Sequence, residues 1–394
     1  MNNLISYQLP FADDRNEWVA IKLKDNKLLL KNLITGKEHS YINVKSCDFT
    51  WGGEWFSCQL NNEAKELEVV QLGTNNVVRY KNVVSYGFNE DNRVLVLQVE
   101  REKERALQWV NPMSGKIKEV WTVSVRDSII IGGYAIDKSC QRLVFAIQSF
   151  AANNSYRSIW YYKEGMSKAI QKLDHQSPGI KAGMEITGEL SFSDDGQYIL
   201  ITMQEIEIDN NLSLLANASK VDVWHYKDTV LMSAQLANSD EAQSWSNEKQ
   251  HKYVMPAEEL GQLTYLSGKF ERVVSVGKRL AIIRRQVITD QFWEDWASEK
   301  LFIVSLQDGE RVPLPKNIMS AQFSPDGTWL LCYDCVKGQY LRYDMVTKQY
   351  TNLAGGAIVF FGGEFEFTGS GQQSNNPRGV IGWLQGDKAL LVYD

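Results

Sequence analysis

Enzymatic chemistry needs a few residue types at set spacings, and the chain offers several candidates. A serine hydrolase of the α/β type carries its nucleophile in Gly-x-Ser-x-Gly on a strand-to-helix elbow, with an acid and a His elsewhere in the chain. The nearest approach is Gly369-Ser370-Gly371, in a polar stretch without flanking strand or helix signals, which reads as flexible linker. The four histidines, His39, His175, His225 and His251, are far apart, and none has the His-x-x-x-His or His-Glu-x-x-His spacing of a metal site. Cys332 and Cys335 have the CxxC spacing. On a strand, however, positions three apart point to opposite faces, and no second pair exists to complete a zinc site. The carboxylate pairs Asp13-Asp14 and Asp194-Asp195 sit in turns, where Asp is favoured for hydrogen bonding to nearby backbone. No catalytic, cofactor-binding or metal-binding residue is assigned.

Two further motifs are weak. Asn153-Asn-Ser155, Asn211-Leu-Ser213 and Asn217-Ala-Ser219 fit the glycosylation acceptor pattern, which is common by chance. The run Asp222-Val-Trp-His-Tyr-Lys-Asp228 reads as a strand with Val223 and His225 on one face and Trp224 and Tyr226 on the other.

The elements around these residues are those of an all-β protein. Of 394 residues, 44% are apolar and 23% charged, the composition of a folded globular chain. Twelve Trp, 17 Tyr and only 8 Pro suit pleated, half-buried strands. A net charge of −6 without a Lys/Arg block leaves nothing to neutralise a run of phosphates, which argues against nucleic acid. The five cysteines are odd in number and scattered, unlike a disulfide framework, so they do not fix the compartment. No segment approaches the roughly 18 apolar residues of a membrane helix. Residues 1–4 show neither the basic nor the apolar region of a signal peptide.

A unit recurs along the chain: an apolar strand, a turn rich in Asp, Asn and Gly, a second strand, then a third ending in another turn. The clearest copy runs from Ala321 through Ser324-Pro-Asp-Gly327 to Tyr333, with a third strand at Gln339–Asp344 and a turn at Val346–Lys348. A second runs from Leu190 through Ser193-Asp-Asp-Gly196 to Ile201, with its third strand placed at Lys220–Tyr226. Weaker copies begin near Asn16, Cys47, Val84, Tyr134 and Val273, and a partial one occupies Val380–Asp394. A spacing of roughly 40 to 60 residues matches four-stranded propeller blades, whose faces are buried by stacking on their neighbours. The expectation is one β-propeller domain over 1–394, of about seven to eight four-stranded antiparallel blades, the last incomplete and the chain a fragment of a longer protein. Thr229–Leu266 and Gly355–Arg378 interrupt the pattern as long excursions, with a weak helical period near Asp240–Glu248.

Several stretches carry a family resemblance: Leu28–Lys37, Val221–Asp228, Ser324–Gly327 through Lys337–Tyr340, and above all Gly379–Asp394. The chain resembles the N-terminal propeller of the large prolyl-oligopeptidase-like (S9) serine peptidases of Bacteroidetes-type bacteria. The resemblance implies a non-catalytic propeller that docks on a downstream α/β-hydrolase domain and gates the access of peptides to it. It also implies a periplasmic or secreted location and no cofactor. The hydrolase triad lies outside this sequence, so none of its residues is carried over. Two other readings stay open: a free-standing TolB-like or WD40-like interaction scaffold, and a propeller enzyme with ionisable groups converging in its channel.

Overall fold

The computed structural model describes residues 4–11, 17–89, 91–151, 154–206, 250–259, 262–268, 271–287, 298–353, 366–367, 373–374, 380–384 and 389–392. Its described elements are all strands. They form seven four-stranded sheets, each built from four consecutive antiparallel strands joined in chain order, and two two-stranded hairpins. The sheets span 4–41, 44–80, 83–124, 129–173, 184–267, 271–313 and 318–352 and are numbered here as blades 1 to 7. One hairpin pairs Glu366–Phe367 with Gln373–Ser374, and the other pairs Val380–Leu384 with Ala389–Val392. This is the expected propeller blade, with the final copy as two strands. The chain divides into two compact units, Met1–Leu173 with blades 1 to 4 and Asp174–Asp394 with blades 5 to 7 and the hairpins.

Within each unit the core is laid down at the seams between successive blades. Leu28 and Leu30 of blade 1 pack on Phe56 and Cys58 of blade 2. Leu67 and Val69 of blade 2 meet Leu95 and Leu97 of blade 3, and Trp109 of blade 3 meets Tyr162 of blade 4 at 5.8 Å between ring centroids. In the second unit Val254 faces Ile283, and Ile303 faces Leu330. The last hairpin sets Trp383 edge-on against Trp329 of blade 7 at 4.9 Å. Each fully buried Leu or Phe contributes roughly 1.5–3 kcal/mol. A single blade has two apolar faces and cannot fold alone, so stacking is what stabilises it.

One turn recurs between the first and second strands of five blades. Thr50, Asn89, Asp137, Ser193 and Ser324 each accept, through a side-chain oxygen, a hydrogen bond from the backbone N–H five residues on, at Trp55, Val94, Arg142, Tyr198 and Trp329. Their carbonyls accept from the residue three on, which is left-handed in every copy: Gly53, Asn92, Cys140, Gly196 and Gly327. The side-chain oxygen satisfies an amide that the turn would otherwise leave without a partner. Sequence reading singled out the Ser193 and Ser324 turns and included the others within its weaker copies, among them the one beginning near Tyr134, where Cys140 takes the left-handed position with φ 58°.

Blades 1 to 3 are joined by a second repeat, Tyr41-Ile-Asn43-Val44 and Tyr80-Lys-Asn82-Val83. Both Asn residues have positive φ, and their carbonyls accept from Asn61 and Glu100 at the ends of the second strands. Asn317 does the same for Cys335.

The structure corrects one strand. The third strand of blade 5 is Gln250–Pro256, paired along Tyr198–Gln204, and the fourth is Thr264–Ser267. Both fall in the stretch read as an excursion, because the strand opens on polar Gln250, His251 and Lys252 before its buried Tyr253, Val254 and Met255. Lys220–Tyr226, expected in that place, lies outside the described residues, as do 222–228, 240–248 and 355–365.

Candidate functional site

The first strand of a blade lies at the edge of its sheet, and the seams between first strands open into clefts. One such cleft, about 550 Å³, lies in the first unit between Val44–Phe49 of blade 2 and Val83–Phe88 of blade 3. Strand alternation puts Ser46 and Asp48 on the cleft side, with their cross-strand partners Gln59 and Ser57. Ser57 donates to the Asp48 carbonyl and hydrogen-bonds the Tyr86 hydroxyl, both at 3.1 Å. The Gln59 amide donates to the Val83 carbonyl at 2.8 Å and so bridges the two blades. Gln8 of blade 1 donates to the Asp48 carboxylate at 2.6 Å.

Burial pushes the Tyr86 phenol above its ordinary value, against the hydrogen bonds from Ser57 and Ser46. Tyr86 is therefore a neutral hydrogen-bonding group at physiological pH. Behind it the Tyr134 hydroxyl lies so close to Gly87 that a Cβ there would overlap it, and burial raises that phenol too. At the rim, exposed Trp51 packs at a tilt against exposed Phe11, with ring centroids 4.3 Å apart. The lining holds one charged group, Asp48, and no His, Cys, Lys or Arg. It can grip polar backbone and side chains, but it presents no nucleophile beside a base.

Two smaller clefts repeat the arrangement. Between blades 3 and 4, Arg105 donates to Glu100 at 2.8 Å and to the Ile129 carbonyl at 2.7 Å, against Ile130 and Ile131. The bond from Arg105 is the main reason the Glu100 carboxyl is held below its usual value. Between blades 5 and 6, Lys252 bonds Glu189 at 3.1 Å and also the Thr202 hydroxyl. In both, the principal charges are already paired.

The residues singled out from sequence are not brought together. Cys332 is fully buried at the seam of blades 6 and 7, whereas Cys335 packs with Tyr333 and Trp383 on the other face, so their thiols diverge. Asp195 accepts from Ser193 and the Gln197 N–H within its turn. His251 bonds Glu205 at 3.2 Å, and His39 and His175 lie in blade 1 and after blade 4. His225, Asp13, Asp14, Asn153, Asn211, Asn217 and 369–371 lie outside the described residues. Among the described residues no group of three or more His, Cys, Asp or Glu is placed to hold a metal ion, and no helix is long and apolar enough to cross a membrane. Sequence reading missed Ser57, Gln59 and Tyr86, whose meeting depends on pairing across two blades. It also missed Glu271, a nearly buried carboxylate that accepts from Arg285 at 2.6 Å and Arg311 at 2.7 Å.

No protein-family model matches the sequence, and no curated protein matches it. Among solved structures the chain is similar to the tricorn protease, with 9% identity, a TM-score of 0.41, and 90% of this chain and 35% of that chain covered. It is similar to the β-propeller domain of the Trilobed protease from Pyrococcus furiosus, with 14% identity, a TM-score of 0.35, and 89% and 94% covered. A third is oligopeptidase B from Trypanosoma brucei, with 10% identity, a TM-score of 0.39, and 86% and 45% covered. The chain thus spans about a third of the tricorn protease chain and under half of the oligopeptidase. The blade assignment itself rests on the strand order and hydrogen bonding of the seven sheets.

Proposed function

We propose that this chain is a non-catalytic propeller domain, continuous over 1–394, that docks on a serine peptidase domain of the α/β-hydrolase type and gates the access of peptides to it. The observation that carries the reading is the cleft between blades 2 and 3. It offers the exposed Ser46 and Asp48 and the half-buried Tyr86 to a peptide, over a floor made by the buried Ser57 and Gln59, and holds no nucleophile–base pair. A surface of this kind selects and orients substrate while the bond is broken elsewhere. The sequence resemblance to S9 peptidases supplies the partner class, and with it a bacterial parent enzyme and a periplasmic or secreted location.

A free-standing interaction scaffold is the second reading, favoured by the exposed apolar side chains Leu4, Ile5 and Tyr7 on the first strand of blade 1. The test compares hydrolysis of a panel of short fluorogenic peptides by this chain and by the protein extended through whatever its gene encodes beyond Asp394. Activity confined to the longer protein, with altered selectivity between short peptides and folded substrates when the cleft residues Gln59 and Tyr86 are substituted, is expected. Activity in this chain alone overturns the proposal, and inactivity of both proteins favours the scaffold.

A further inference from the structure

Cys47 and Cys58 are eleven positions apart in sequence and directly opposite each other in space. They are paired residues on the first two strands of blade 2, which flank the turn at Gly52-Gly53. Directly opposed residues of an antiparallel pair share a face, and here that face is the blade 1–2 core, where Phe49 and Phe56, the next pair but one, meet at 5.0 Å. The register fixes the kind of pair. Thr50 N–H bonds the Trp55 carbonyl at 3.0 Å, which makes 50/55 a hydrogen-bonded position. Alternation then makes 49/56 non-hydrogen-bonded, 48/57 hydrogen-bonded and 47/58 non-hydrogen-bonded again. Cα atoms at such a position are about 4.5 Å apart with the side chains close together, inside the roughly 4.4–6.8 Å over which disulfides form.

We propose that Cys47 and Cys58 are a disulfide-forming pair, a staple across the first two strands of blade 2 on the reverse of the wall that carries Ser46, Asp48, Ser57 and Gln59. Both thiols are free in this structure, and the other three cysteines lie in blade 4 (Cys140) and blade 7 (Cys332 and Cys335). Cys47 is half-buried and Cys58 fully buried, so a small oxidant meets Cys47 first. With oxidised glutathione, the Cys47 thiolate attacks one sulfur of the glutathione disulfide and expels one glutathione thiolate. The Cys58 thiolate then attacks the Cys47 sulfur of the mixed disulfide and expels the second. The protons of the two protein thiols end on two glutathione thiols, and the electron pair lost by the protein is gained by glutathione.

Burial pushes the Cys47 thiol up, against the pull of Lys22, and pushes Cys58 up to about 12. Thiolate is therefore scarce at neutral pH, and the exchange accelerates about tenfold per pH unit below these values. Closing the staple ties together the two strands whose opposite faces line the cleft, so the redox state sets how freely that wall can open. This pairing does not depend on what the cleft binds.

The test incubates the full chain with oxidised glutathione at about pH 8, quenches with acid, unfolds, alkylates and maps the peptides. The expected product is a 47–58 cross-link, lighter by two hydrogens, with Cys140, Cys332 and Cys335 alkylated. In Cys58→Ala, with folding checked by circular dichroism, the reaction stops at a glutathione adduct on Cys47. The proposal is overturned if the wild-type chain keeps a glutathione adduct on Cys47, or if both thiols are alkylated after prolonged oxidation.

Discussion

Replacing Asp137 tests whether the recurrent turn stabilises a blade. Its side chain is 1% exposed; it accepts from the backbone N–H of Gln141 at 2.9 Å and of Arg142 at 2.7 Å, and bonds the Arg142 guanidinium at 3.0 Å and the Ser139 hydroxyl. In Asp137→Ala both amides lose their side-chain acceptor and the Arg142 guanidinium, itself 10% exposed, loses its bond to that carboxylate. Removing one member of a buried pair costs about 3–5 kcal/mol. Asp137→Asn keeps an oxygen for the amides and loses the charge, so its cost is that of weakening charge-assisted bonds, about 1.5–3 kcal/mol. The chain has two compact units, so the assay must report one of them: urea titration with pulsed hydrogen exchange, read by mass spectrometry on peptides from 129–173. The pH dependence supplies a second check. Burial raises the Asp137 carboxyl, but the hydrogen bonds from Ser139, Gln141 and Arg142 outweigh it and leave the group below its usual value. A carboxyl depressed in the folded state stabilises above the unfolded value near 3.9 and loses that contribution as pH falls through the folded one. The gap between wild type and Asp137→Asn should therefore be constant near neutrality and shrink below about pH 4. Equal midpoints for wild type and Asp137→Ala, or a gap that widens on acidification, would refute the reasoning.

Other expected outcomes test separate features. Lys348 occupies, with φ 58°, the turn position filled by Gly36, Gly115 and Gly309 in blades 1, 3 and 6, and its amide bonds Asp344 O as theirs bond Asn32, Asn111 and Ser305. Lys348→Gly should stabilise blade 7 by about 1 kcal/mol in urea titration, since a left-handed backbone costs a side-chain-bearing residue about that much. Gly87→Ala should destabilise the first unit by about 1–3 kcal/mol through overlap with Tyr134, and Tyr134→Phe in the same chain should restore most of the loss. Glu271→Ala, which takes the shared carboxylate from the partly exposed Arg285 and Arg311, should cost about 1.5–3 kcal/mol in the second unit through the loss of charge-assisted hydrogen bonds, read by exchange on peptides from 271–313.

The parts of the fold legible in the sequence are those held by local chemistry. Ser193-Asp-Asp-Gly196 and Ser324-Pro-Asp-Gly327 declare their turns because Gly supplies the positive φ and Ser the capping oxygen. Asp137-Lys-Ser-Cys140, inside the weaker copy that begins near Tyr134, builds the same turn without Gly, and the bond from the Arg142 N–H to Asp137 shows that its chemistry is the same. The fourth strands left little trace: Glu38–Tyr41 and Arg311–Pro313 have four and three residues and mostly polar or half-exposed side chains. The third strand of blade 5 was misplaced because a long polar stretch separates it from its partner, and no local signal says where a ladder resumes. The cleft was out of reach, since Gln59 meeting Val83 is a fact of two blades stacked and not of either alone. The opposition of Cys47 and Cys58 follows from the turn at Gly52-Gly53 once register is counted outward from it, and so was within reach.

The hairpin between second and third strands shows where this architecture admits new sequence. In blade 1 it is a tight reversal, Leu23 pairing with Lys27, with Asp25 and Asn26 both left-handed. In blade 6 residues 288–297 separate Val287 from Ser298, and in blade 5 residues 205–249 lie between the paired Gln204 and Gln250. The ladder fixes the separation of the two ends whatever lies between them, and a tenfold longer loop costs only about 2 kcal/mol in closure entropy. A propeller blade is therefore a mounting point as well as a wall: a foreign peptide or small folded module grafted between Glu205 and Gln250 meets ends already held at the spacing of a sheet.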